Sequence, residues 1–148
     1  MEIFENLDVL EEEYAEYARE CQWALRLAEA KVLNVKEAVE QSTPGEILVF
    51  GRIKSFESVV DKCVQRGYDL TIDSIKEHIR DVAGIRVVTV FRDDIYAFAD
   101  MLRYISGMVI TQRKDYVQAP KPNGYSSLHL VTQVEIYQPM EGPKLSRL

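Results

Sequence analysis

Leu7, Leu10, Tyr14, Tyr17, Cys21, Ala24 and Ala28 recur at intervals of three and four, the spacing that lines apolar side chains along one face of an α-helix. No glycine or proline interrupts the chain before Pro44. The pattern therefore predicts one long helix, or two in series, closing before Ser42-Thr43-Pro44-Gly45. Its stripe serves either a core within the chain or contacts between copies. Glu46 to Phe50 is a short apolar run suited to a buried strand, and Gly51 follows it. Phe56, Val59, Val60 and Cys63 mark a helix, with Ser55 as N-cap and Gly67 as its stop. Thr71 opens another, whose inward face is Ile72, Ile75 and Ile79. Ala83 to Phe91 is a β-branched strand. Asp93 is the expected cap of a helix carrying Ile95, Phe98, Leu102 and Ile105 and ended by Gly107. Met108 to Tyr116 and Ser126 to Tyr137 read as strands. Strands alternating with helices predict an α/β or α+β fold, a sheet with helices packed on it.

With 148 residues the chain can build one domain with a real core. Its net charge of −6 is unevenly spread: residues 1–50 carry twelve acidic and four basic side chains, residues 51–148 twelve and fourteen. The acidic whole argues against nucleic-acid binding by charge, and the basic part is where an anionic ligand would sit. No apolar run has the length to span a membrane. The N-terminus, MEIFENLDVLEEEYAEYARE, is acidic and lacks the basic start of a signal peptide. Cys21 and Cys63 have no metal-binding spacing and read as buried thiols of a cytoplasmic protein.

Three stretches could carry chemistry. GRIKSFES, Gly51 to Ser58, lies at a strand end and opens a helix, where free backbone N–H groups attract phosphate. Arg52 and Lys54 add cations, and Ser55 and Ser58 add hydroxyls. The same residues read equally as a capped helix with solvated cations, and a Walker loop occurs nowhere in the chain. In RDVAGIR, Arg80 to Arg86, Asp81 falls at an expected helix C-terminus, where the dipole disfavours an acid. It is either a solvated loop acid or the holder of a cation. Arg86 shares a strand face with Val88 and Val90, and its flat guanidinium could stack on a base. In KDYVQAPKPNGYSSLH, Lys114 to His129, two prolines stiffen a loop and Asn123-Gly124 permits a sharp reversal. Tyr125, Ser127 and His129 then share one strand face, with Lys121 just before them. The opposite face, Leu128, Leu130, Thr132, Val134 and Ile136, belongs to the core. A ring for stacking and donors for phosphate suit a nucleotide platform.

GRIKSFESV, YDLTIDSIKEHIRDVAGIRVV and KDYVQAPKPNGYSSLH, in that order, resemble the synthetase domain of the RelA/SpoT family, and the chain is similar to its small alarmone synthetases over roughly residues 1–138. The resemblance implies an α+β fold: a mixed β-sheet flanked by helices, akin to the nucleotidyltransferases, with a helical segment at 1–43 before a synthetase core at 44–148. It implies transfer of pyrophosphate from ATP to the ribose 3′-oxygen of GDP or GTP, giving AMP and ppGpp or pppGpp. Arg52 and Arg86 would sandwich adenine, Lys54 and Ser58 would contact the ATP phosphates, and Asp81 would hold Mg²⁺. Tyr125 would stack on guanine, with Lys121 and His129 at the acceptor's phosphates and Lys114 assisting. Asp81, Lys54 and His129 are the expected catalytic set. The resemblance further implies a homotetramer, while the short apolar runs and the −6 charge argue against a membrane or nucleic-acid partner. The family's Glu-x-Gln-x-Arg-Thr strand, which carries a second acidic group, has no match here; Glu135 lies too early, Glu141 is the other nearby acid, and the chain is expected to lack that last strand and the helices after it. The competing expectation is a nucleotide-binding or oligomerising module without catalysis. A different nucleotidyltransferase would place [DE]x[DE] on a strand, and no expected strand has it.

Overall fold

A single helix, α1 (Glu2–Glu40), carries the N-terminal pattern. Its 39 residues span about 58 Å at 1.5 Å per residue, and its stripe is spent inside the chain. Leu10, Tyr14, Cys21, Ala24 and Ala28 are buried. The computed structural model describes residues 2–124, 127–138 and 142–148. After α1 come β1 (Ile47–Ile53), α2 (Phe56–Arg66), α3 (Ile72–His78), β2 (Ala83–Thr89), α4 (Arg92–Leu102), β3 (Met108–Asp115), β4 (Leu128–Gln138) and β5 (Gly142–Arg147). The fold is α+β. β1 and β2 form one antiparallel pair, and β3, β4 and β5 form an antiparallel sheet in that order.

Two apolar clusters lie along α1. The first joins Leu10, Tyr14, Cys21 and Leu25 to Val59, Cys63, Ile75 and Ile79. The second joins Val32, Val35 and Val39 to Ile47, Phe98, Leu102 and Val134. Ile85 and Leu148 pack against both. Both cysteines are buried and outside any disulfide.

Local signals set most boundaries. Ser55 and Thr71 cap α2 and α3, their side-chain oxygens accepting the N–H groups of Ser58 and Ser74. Gly67, at φ 72°, closes α2 in the left-handed conformation. Five expectations need correction. The strand expected to stop at Phe50 runs on to Ile53, because its partner β2 continues pairing through Gly51↔Ile85 and Arg52↔Gly84. Arg52 is therefore a strand residue rather than part of a loop. Asp81 does not end a helix: α3 stops at His78, Ile79 is extended, and Asp81 stands free of the helix dipole in the link to β2. Asp93 does not cap α4, which starts at Arg92 with no side-chain cap; Asp93 and Asp94 sit inside its first turn, where acids suit the dipole, and Asp94 accepts a hydrogen bond from the Thr43 hydroxyl at 2.9 Å. That helix also ends at Leu102, before Gly107, since a turn intervenes. The segment Gly142–Arg147, where the sequence pattern predicts no strand, is one because β4 offers it an antiparallel partner from Gln133 to Gln138.

Candidate active site

Asp81 gathers the cations. Its Oδ1 lies 3.0 Å from Lys62 Nζ, and its Oδ2 lies 3.3 Å from Lys54 Nζ and 3.7 Å from Arg52. β1 delivers Arg52 and Lys54, α2 delivers Lys62, and the Lys54 N–H bonds to the Val82 carbonyl at 2.7 Å, tying the end of β1 to the Asp81 link. Burial pushes the Asp81 carboxyl up, but the hydrogen bonds and charges of Lys62 and Lys54 outweigh it and hold the group below its ordinary 3.8. It is thus an anion at neutral pH. Lys54 is the most enclosed of the cations, with 15% of its side chain exposed against 59% for Arg52. Tyr14 of α1 donates its hydroxyl to the Lys54 carbonyl. Its own pKa is pushed up to about 12, chiefly by burial, then by Cys21 and Asp81. The long helix thereby fixes the backbone that carries the most buried cation.

The β1–β2 register sets the next part. Phe50 pairs with Arg86 and Arg52 with Gly84. Paired residues share a sheet face, so Arg52 and Arg86 stand on one face as diagonal neighbours, about 7 Å apart. That gap accepts one flat ring stacked between two guanidiniums, each layer needing about 3.5 Å. Gly84 leaves the place beside Arg52 open: a Cβ there would meet nothing within 4 Å. Ser58 sits exposed in the first turn of α2, its hydroxyl 3.0 Å from that of Ser55.

A second basic group lies at the β3–β4 end. Lys114 and His129 are register partners. His129 meets the Tyr116 ring edge-on at 5.4 Å, and Lys121 stands over the same ring at 4.8 Å. Burial, then Lys121, then Lys114 lower the His129 pKa below 6.5. Gly124, at φ 87°, makes the expected reversal, its N–H bonded to the Lys121 carbonyl. Tyr125 lies outside the described residues, as does Glu141; Glu135 is exposed on β4. Asp115 anchors the loop: its Oδ1 accepts the N–H groups of Val117 and Gln118, and it accepts the Tyr96 hydroxyl from α4.

The structure therefore brings Arg52, Lys54 and Asp81 together, puts Arg86 on the same face as Arg52, and pairs Lys114 with His129. Lys62, Tyr14, Tyr116 and Asp115 were missed from sequence. Lys62 had a signal, since it follows Ser58 by four residues on one helix. Tyr14 had none, being 40 residues from its partner.

Fold and site together define an α+β domain whose open sheet face is lined by cations around the Asp81 carboxylate. Residues 51–142 match the family described as "Region found in RelA / SpoT proteins", and the chain belongs to that family. It is 45% identical over 85 residues to GTP pyrophosphokinase YwaC of Bacillus subtilis (strain 168), covering 57% of this chain and 40% of that protein. The chain thus spans less than half the length of that relative. Among solved structures it is similar to the small alarmone synthetase 2 of Bacillus subtilis, with a TM-score of 0.76 and 31% identity over 90% of this chain and 68% of the other. It is also similar to a GTP pyrophosphokinase family protein of Streptococcus pneumoniae, with a TM-score of 0.78 and 28% identity over 91% and 66%. Among the described residues no helix is long and apolar enough to cross a membrane.

Proposed function

We propose that this chain carries the nucleotide-handling face of a GTP pyrophosphokinase, transferring pyrophosphate from ATP to the 3′-oxygen of GDP or GTP. The observation that carries the reading is the convergence of Arg52, Lys54 and Lys62 on Asp81, beside the diagonal arginine pair. In this reading the 3′-oxygen attacks the β-phosphorus, the bond to the oxygen bridging to the α-phosphate breaks, and AMP leaves. Arg52 and Arg86 hold adenine between them. Lys54, Lys62 and Ser58 meet the polyphosphate, whose accumulating charge they offset. Lys114, Lys121 and His129 face the acceptor's phosphates, and Tyr125 stacks on guanine.

Divalent metal is the cofactor that fits. Mg²⁺ binds through one or two carboxylates while keeping waters and substrate phosphates, and Asp81 is an ionised, half-exposed carboxylate suited to that use. When bound, the metal would neutralise charge on the transferring group. Buried thiols not joined in a disulfide support a cytoplasmic setting. A homotetramer rests on the resemblance alone, because the α1 stripe is already consumed by the core.

The test is AMP and ppGpp production from labelled ATP and GDP with Mg²⁺, for the wild type and Asp81→Asn. We expect a loss of about 10²–10³ in rate for the variant, the usual scale for removing one preorganised charge. Nucleotide binding without AMP release would instead describe a binding module. An active Asp81→Asn enzyme would remove Asp81 from the chemistry.

A further inference from the structure

The face that holds the two arginines continues as apolar surface. Leu48 pairs with Val88, and Phe50 with Arg86. Leu48, Phe50 and Val88 are 43%, 54% and 42% exposed, while Ile47 on the other face of β1 is fully buried against α1. Exposed aromatic surface next to a cation pair is costly to leave in water and suits a ligand with an apolar edge.

The register makes a square of four positions: Phe50 and Arg52 on β1, Arg86 and Gly84 on β2. The arginines occupy one diagonal, and Phe50 and Gly84 the other. A base stacked between the arginines therefore lies over the Phe50–Gly84 diagonal. Lys54, Lys62 and Asp81 lie beyond Arg52, at the Gly84 end. A polyphosphate drawn to those cations takes the ribose out over Gly84, where no side chain stands in the way. The edge of the base farthest from the ribose then points back at Phe50, with Leu48 and Val88 behind it. That edge is where adenine and guanine differ.

We propose that Phe50, backed by Leu48 and Val88, is a specificity-determining residue that selects adenine over guanine in the donor nucleotide; this rests on the donor-site reading above. The wall offers no hydrogen-bond partner. Guanine brings an oxo group, a ring N–H and an amino group to this edge, whereas adenine brings one amino group, one ring nitrogen and a C–H. Burying unpartnered polar groups is penalised according to their number. Apolar walls discriminate modestly, so the expected selectivity is of the order of tenfold.

The experiment is displacement of an ATP analogue carrying a fluorophore on its ribose, by ATP and by GTP, which reports only ligands that compete for the donor position. Phe50→Ser should weaken ATP about three- to tenfold, the scale of one aromatic contact, and narrow the ATP-over-GTP ratio. Phe50→Leu should keep most of both, and Val88→Ser should narrow the ratio less. Phe50 is more than half exposed, so these variants should melt with the wild type. Weakening by Arg86→Ala with the ratio unmoved by Phe50→Ser would overturn the role of Phe50 and leave the donor site standing. Absence of analogue binding to the wild type, or indifference to Arg86→Ala, would overturn the donor site and this inference with it.

Discussion

His129 shows how one side chain takes its chemistry from its neighbours. It titrates below 6.5 because burial and then the charges of Lys121 and Lys114 disfavour its protonated form. A folded pKa below the unfolded one means that the unfolded chain binds the proton more readily between the two values. The stability from neutral His129 is therefore complete above pH 6.5 and is lost as pH falls below it. The chain has two histidines, so NMR titration can follow each ring. We expect a midpoint below 6.5 for His129, rising toward 6.5 in Lys121→Ala; a midpoint at or above 6.5 in the wild type would contradict the clustering. Tyr14 behaves in the opposite range. Its pKa is raised to about 12, so its contribution is intact below pH 10 and fades as pH rises through 12. Tyr14→Phe leaves the Lys54 carbonyl without its hydroxyl partner. That should cost about 1–2 kcal/mol in urea unfolding and weaken ATP binding through Lys54, whereas a purely structural role would leave ATP affinity unchanged.

Elements differ in how much of their chemistry is local. Ser55, Thr71 and Gly67 could be read as boundaries because caps and left-handed glycines act within one turn. The end of β1 could not, since pairing with β2 extends it past a glycine. The Asp81 cluster was half legible: the acid and Arg52 and Lys54 stand in short motifs, but Lys62 joins only once α2 packs beside the link to β2. The same division holds for the loop after β3. Its prolines and Asn123-Gly124 announce a rigid turn, while its anchor, Asp115 with Tyr96, spans 19 residues. Asp115 is held below 3.8 by the Gln118 N–H first, against burial, with help from the Tyr96 hydroxyl and the Val117 N–H. Asp115→Ala should free the loop and raise the KM for GDP about three- to tenfold, the cost of ordering a few side chains on binding, with the KM for ATP unmoved. Equal effects on both nucleotides would show that Asp115 supports the fold rather than the acceptor loop.

At the scale of the molecule, α1 is the shared wall of two clusters: α2 and α3 contribute to the first, α4, β3 and β4 to the second, and β1 and β2 to both. Ile85 and Leu148 touch both. A helix that loses one cluster leaves the apolar face of the other half exposed, so neither is expected to persist alone. Trp23, the one tryptophan, lies on α1 between Cys21 and Leu25, two residues of the first cluster, while far-UV circular dichroism reports all the helices. Urea curves from the two probes should therefore superimpose. Leu27 is 44% exposed near the middle of α1, and Leu27→Pro breaks the helix between the clusters without removing a buried side chain. It should cost about 3 kcal/mol or more and separate the two curves, the fluorescence reporting the first cluster and the dichroism both. Separate curves in the wild type, or coincident ones after Leu27→Pro at unchanged stability, would show that α1 does not couple the two halves.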